Sequence, residues 1–220
     1  MRFKNRQDAG RRLAEKLMNY KEENPVVLGL PRGGVPVAYE VAEALEAPLD
    51  VVVARKVGAP FQEELALGAV VDGDQPETVF NEDILKRLNL SHDDLQDKIE
   101  AELEEVRQRQ ELFRKGRAPV STEDATAIII DDGLATGASM RAAIRGLKRR
   151  PIMRLVVGVP VGPPSSVEEL RAEADDVVCL HAPEGFRAVG QFYEDFDQTT
   201  NEEVIELLEK AHHSVLSKGK

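Results

Sequence analysis

Cysteine is almost missing from this chain: Cys179 is the only one in 220 residues. That excludes an internal disulfide and a cysteine-rich metal site, and it suits a reducing compartment. Lying in an apolar run, Cys179 reads most simply as a small buried hydrophobe. Tryptophan is absent and aromatic residues make up 5% of the sequence, so any local concentration of rings stands out. Basic charge is also short, with 29 Lys and Arg against 40 Asp and Glu and a formal net charge of -11. A nucleic-acid partner held by a broad basic surface is therefore not expected, although local basic pockets remain open. The opening stretch, MRFKNRQDAGRRLAEKL, is charged throughout, and no apolar run has the length of a signal peptide or membrane span. The expectation is a cytoplasmic protein that meets no membrane. His92, His181, His212 and His213 show no metal-ligand spacing with Cys179 or with paired acids, so no structural zinc is expected.

The length suits one domain with an elaboration, spanning 1–220, and the 42% hydrophobic content is normal for a globular chain. Five short, nearly continuous apolar runs predict strands covered on both faces: Val26 to Leu30, Leu49 to Ala54, Ala127 to Ile130, Leu155 to Val159 and Val177 to Leu180. Helical patterns fall between them at Val35 to Leu45, Ala138 to Leu147 and Ser165 to Arg171, the last opened by Ser165 and Glu168 at capping-box spacing. This β-α-β alternation predicts an α/β fold with a parallel sheet. Leu65 to Val71 reads as an extra edge strand or part of a hairpin.

The segment at about 81–117 differs. Its apolar residues, Ile84, Leu85, Leu88, Leu95, Ile99, Leu103, Val106 and Leu112, are mostly three, four or seven apart in a charged background, which predicts one long or two consecutive amphipathic helices. Ser91 and Asp94 place the break near Leu90. Such an inserted helical arm serves as a lid, as a dimer contact, or simply as a solvated helix packed on the sheet.

Chemistry concentrates in two strand–loop–helix junctions. In the first, the strand at Ala127 runs into Asp131-Asp132-Gly133-Leu134-Ala135-Thr136-Gly137-Ala138-Ser139, which opens a helix. A helix N-terminus beyond a strand end offers unpaired N–H groups and a favourable dipole to an anion. Gly133 and Gly137 allow close backbone approach, and Thr136 and Ser139 add hydroxyl donors. Asp131 and Asp132 would repel a phosphate, so they suit neutral hydroxyls one sugar-length away or a divalent cation. The segment has neither the Lys of a Walker A loop nor G-x-G-x-x-G. In the second junction, Leu28 to Leu30 leads to Pro31-Arg32-Gly33-Gly34-Val35-Pro36. Two glycines beside an arginine suit a loop gripping pyrophosphate, while taken alone they equally describe a tight βα turn.

Together these segments resemble the type I phosphoribosyltransferase family, and the chain is most similar to its bacterial predicted phosphoribosyltransferases over about Val26 to Leu180. The resemblance implies a phosphoribosyltransferase-like core with the helical insertion at about 81–117 and a small C-terminal hood at about 181–200. It implies that Asp131 and Asp132 hold the ribose 2′- and 3′-hydroxyls of 5-phosphoribosyl 1-pyrophosphate (PRPP), with Gly133, Leu134 and the Ala135 to Ser139 loop around its 5′-phosphate. It places Arg32, Gly33 and Gly34 at the pyrophosphate. Arg55 and Lys56 end a strand near it, before a flexible closing loop in which Glu63 and Glu64 are weaker candidates. Members acting on hypoxanthine and guanine carry an Asp where this chain has Ala135, which puts an oxopurine acceptor in doubt. The hood would stack an acceptor base on Phe186, Phe192 or Tyr193, residues that equally suit ordinary core packing. The implied cofactor is magnesium arriving with PRPP, with Asp131 and Asp132 near it through water and no direct protein ligand assigned. The implied partners are PRPP, an unidentified nitrogenous acceptor and a second copy of the chain. The alternatives are a non-catalytic regulatory protein that senses PRPP or nucleotides, and a hydrolase that admits water.

Overall fold

The computed structural model describes residues 1–72 and 76–218, apart from the side chains of 63, 64, 77 and 215–218. A parallel sheet is built from β1 (Pro25–Gly29), β2 (Leu49–Val51), β6 (Thr126–Ile130), β7 (Arg154–Val161) and β8 (Asp176–His181), in the order β2-β1-β6-β7-β8. Between these lies an antiparallel sheet of β3 (Ala54–Ala59), β4 (Gln62–Val71) and β5 (Glu77–Phe80).

Alternate residues of the central strands serve opposite faces, which is why the apolar runs are unbroken. Val27, Ile128, Ile130 and Val156 join the core beneath α1 (Arg6–Leu17), α2 (Gly34–Leu45) and α7 (Asn201–Lys218). Val26, Leu28, Ala127, Ile129, Leu155 and Val157 join the core beneath α5 (Ala138–Leu147) and α6 (Pro164–Glu173). The remaining helices, α3 (Glu82–Leu88) and α4 (Gln96–Arg114), form the expected arm, broken by Asn89 in the left-handed region and a 3-10 turn at Asp93–Leu95. Ser91 and Asp94 bond reciprocally at that break, with the Ser91 N–H donating to Asp94 at 2.7 Å and the Asp94 N–H to Ser91 Oγ at 3.4 Å.

Three expectations need correction. The second strand stops at Val51, because buried Val52 and Val53 carry the chain across to β3, where Ala54 begins a different sheet. The segment after Lys56 is not an irregular loop: Val57 to Ala59 pairs with β4 in a hairpin with an irregular register around Gly58. Its weak alternation conceals strands because β3 and β4 pack against both α4 and α5. Glu63 and Glu64 lie on β4 with side chains outside the described set. Ser165 does not cap α6, which starts at Pro164 with Pro163 as its N-cap and no side-chain cap bond. Proline preset for the first helical turn took that place.

Two helices escaped the sequence patterning. α1 is capped by Asn5, whose side chain accepts the Asp8 N–H at 2.9 Å, and buries Leu13 and Leu17. α7 opens with a reciprocal Thr200–Glu203 box and buries Val204, Leu208 and Ala211.

Candidate functional site

Strand order creates the site. From β1 the chain crosses through α2 to β2 on one side, and from β6 through α5 to β7 on the other. The two βα loops therefore leave adjacent strand ends in opposite directions and open a crevice between them, the place where open α/β sheets take ligands. Leu30 donates its N–H to Ile130 O at 2.8 Å, so the first loop is tied to the end of β6.

The two loops touch without room for side chains. A Cβ on Gly34 would sit 2.6 Å from Ile130 O and 2.9 Å from Asp131 Cα, and one on Gly33 would overlap the Asp132 carboxylate. Gly33 and Gly34 thus bring the first loop's backbone against the acidic pair, and only glycine permits that approach. The Pro31–Arg32 peptide beside them is cis. The Arg32 side chain makes no hydrogen bond or ion pair with any described residue and lines a cavity of about 490 Å³.

Asp131 Oδ1 accepts the Asp132 N–H at 2.8 Å. Burial, and then the neighbouring Asp132 charge, push the Asp131 carboxyl well above the usual carboxylate range. Burial raises Asp132 too, but Arg6 opposes it with a bond from Nε to Oδ2 at 2.8 Å. Arg6 is the functional residue that motif reading missed: it comes from α1, 126 positions away. It also donates to Asp197 O at 2.6 Å and covers the Phe196 ring at 4.1 Å. The only available signal was an arginine just after the Asn5 cap.

Beyond the acids the second loop divides its labour. A Cβ on Gly133 would meet Val189 Cγ1 at 2.6 Å, so this glycine admits the hood. Leu134, counted among the phosphate residues from the motif, turns inward: it is 1% exposed and its N–H goes to Val161 O at 2.8 Å. Its side chain and its N–H both serve to anchor the loop. Ala135, Thr136 and Ser139 are exposed, Ser166 ties Ala135 O to α6 at 3.2 Å, and Gly137 takes a left-handed φ of 69° before α5 begins. No side chain caps that helix end. The Ala138 N–H makes a long bond to Thr136 Oγ1 at 3.4 Å, and the next N–H groups of the α5 N-terminus are left for an anion.

Arg55 and Lys56 part company. Arg55 donates to Glu102 of α4 at 2.7 Å, whereas Lys56 lines a cavity of about 470 Å³ with Thr136, Ala138, Arg141 and Arg145. Lys56 is thus brought to the second loop and Arg55 to the arm. In the hood, Phe186 and Phe192 stack at 5.7 Å and stay partly exposed. Tyr193 is only 2% exposed, packs between Phe3 and Phe196, and donates its hydroxyl to Asp132 O at 2.6 Å. Its place behind the acidic pair makes it a buttress and not an open stacking face.

The crevice, the acidic pair and the glycine loops define a phosphoribosyltransferase fold. The family model for the phosphoribosyl transferase domain matches residues 2–197, so the chain belongs to that family. A Mycobacterium tuberculosis protein, Rv0571c, named provisionally as a phosphoribosyl transferase, is 44% identical over 217 residues, covering 99% of this chain. The chain spans about half the length of the curated relatives it matches, 48% in each case. A crystal structure of TT1426 from Thermus thermophilus is also 44% identical, with a TM-score of 0.88 over 96% of this chain and 99% of that one.

Proposed function

We propose that this protein binds PRPP with magnesium and transfers its phosphoribosyl group to a nitrogenous acceptor, in class a nucleobase, releasing pyrophosphate in the cytoplasm. The observation that carries the reading is the direct contact between Gly33–Gly34 and Asp131–Asp132 at adjacent strand ends. It sets a backbone surface for pyrophosphate, an acceptor pair for ribose hydroxyls and a helix N-terminus for a 5′-phosphate within one sugar-phosphate length.

In this reading the C1–O bond to pyrophosphate breaks as the acceptor nitrogen bonds C1, and the acceptor's proton passes to the departing pyrophosphate or to water. Asp131 and Asp132 accept hydrogen bonds from the ribose diol and hold C1 in place. Arg6 favours the charged, accepting form of Asp132. Thr136, Ser139 and the α5 N–H groups hold the 5′-phosphate, with Lys56 at the edge of that loop. Arg32 receives the charge that develops on the leaving group. Among the described residues no group of three or more His, Cys, Asp or Glu could hold a metal ion. Two adjacent carboxylates do fit a magnesium ion that keeps its waters and arrives on phosphate oxygens. When bound, that ion supplies positive charge to the leaving pyrophosphate. Phe186 and Phe192 offer the hood's stacking surface for the acceptor, and Ala135 leaves no carboxylate at its position for a purine proton.

The test is calorimetric titration of PRPP and magnesium into the wild type and an Asp131→Asn/Asp132→Asn variant, followed by a pyrophosphate-release screen across nitrogenous bases. Binding weakened by at least about a hundredfold in the variant, roughly two lost charge-assisted bonds, with release dependent on one base, is the expected result. Binding without release for any base moves the protein to the sensor class, and no binding by folded wild type rejects the PRPP pocket.

A further inference from the structure

The cavity of about 490 Å³ beside Arg32 is walled by the helical arm and not by the sheet: Glu105, Gln108, Arg109 and Leu112 of α4 face Arg32, with Asn201 of α7 at its edge. Its size lies in the roughly 300–1,000 Å³ range of small-molecule sites. Polar side chains from three separated segments converge on it, and one of them, the Arg32 guanidinium, has no described partner.

Resting on the proposed transfer reaction, we infer that α4 supplies Arg109 and Gln108 to a pyrophosphate subsite shared with Arg32, and that Glu105 occupies Arg109 until pyrophosphate displaces it. In a displacement at C1 the acceptor enters opposite the leaving group. The side of the ribose that Arg32 serves is therefore the pyrophosphate side, and the α4 residues facing Arg32 meet that group and not the acceptor. Arg109 is suited to the task because its Nε donates to Glu105 at 2.9 Å while its terminal amino groups have no described partner. Those groups present the planar fork that matches phosphate oxygens.

The pair it would exchange is weak. Both side chains are partly exposed, at 38% and 40%, and the pair is an i,i+4 contact along one helix. Exposed pairs of this kind contribute little, so a polyanion with several acceptor oxygens displaces the single carboxylate readily. The arm can present these residues at a fixed place because α4 ends at Arg114, which is bound to buried Asp50 and Asp72.

The experiment titrates inorganic pyrophosphate, and separately ribose 5-phosphate, into the full chain as wild type, Arg109→Met and Glu105→Gln, with circular dichroism confirming the fold of each. Arg109→Met is expected to weaken pyrophosphate binding about tenfold, the scale of one charge-assisted contact, and to leave ribose 5-phosphate unchanged. Glu105→Gln is expected to tighten pyrophosphate, an outcome that a merely structural Glu105–Arg109 pair would not produce. Pyrophosphate affinity unaltered in both variants overturns the subsite. The ribose 5-phosphate arm reads the parent proposal independently: wild type that fails to bind it, while pyrophosphate still depends on Arg109, rejects the transferase reading and retains the subsite.

Discussion

Two clusters in this molecule share the same composition, two aspartates and one arginine, and behave as opposites. Asp50, Asp72 and Arg114 are all under 9% exposed. Arg114 Nε bonds both Asp50 oxygens at 3.0 and 3.1 Å, while one terminal amino group reaches Asp72 Oδ2 at 2.9 Å and Val51 O at 3.0 Å. Backbone N–H groups of Val51 and Val120 also bond Asp50, and Arg150 bonds Asp72 O. Several partners hold each charge, and the cluster joins α4, β2 and the end of β4 as a lock. Asp131, Asp132 and Arg6 instead stand at strand ends beside an open helix N-terminus. Asp131 Oδ2 meets no donor among the described residues, and the cluster has acceptor capacity left over. A buried charge gripped by several partners holds structure together, whereas one left short of donors at a crevice is equipped to receive a ligand.

The comparison breaks most severely if the lock is opened. Arg114→Met leaves two carboxylates buried without their cation and is expected to cost about 3–5 kcal/mol, measured by urea unfolding. A cost below about 1 kcal/mol would mean the cluster is hydrated and not a lock. Arg6→Met sharpens the other side. It removes a largely buried charge-assisted bond and is expected to cost about 1–3 kcal/mol, with weaker PRPP binding because Asp132 loses the charge that favours its ionised form. PRPP affinity equal to wild type would confine Arg6 to holding α1. The smallest effect separates the clusters by pH. Burial pushes the Asp72 carboxyl up to about 6, with Arg114 opposing, against an unfolded value near ~4. A raised acid binds its proton more tightly when folded, so its contribution is present below pH ~4 and is lost as pH rises through about 6. Wild type is therefore expected to lose stability relative to Asp72→Asn between those values, by something on the order of 1–2 kcal/mol. A pH-independent difference would show that Asp72 remains ionised throughout.

The parallel core was readable because each of its strands is buried on both faces, and such burial leaves a continuous apolar run. β3 was not readable for the opposite reason. Its Ala54-Arg55-Lys56-Val57-Gly58-Ala59 mixes charge and small residues because one face meets α4 through Arg55 and the other leads to the second loop through Lys56. The acidic loop was legible as a local motif, since chain neighbours make up Asp131 to Ser139. Arg6, and the place of Tyr193 behind the acidic pair, could not be found that way, because both depend on contacts 126 and 61 positions apart. Leu134 shows the converse: it belongs to the motif in sequence, while its apolar side chain lies in the core below.

Phe3 bridges Tyr193, Phe3 N–H donates to Phe192 O at 2.8 Å, and Arg6 reaches Asp197 across 191 positions. In a chain made from its N-terminus onward, the partner that tunes Asp132 emerges before either aspartate exists, and the hood that clasps it emerges long after. Contacts of such separation carry a large closure entropy and close after local structure has formed. The acidic pair can therefore reach its finished electrostatic state only once nearly all of the described chain has left the ribosome. A nascent chain halted before the hood would carry the motif complete in sequence but not yet tuned for binding.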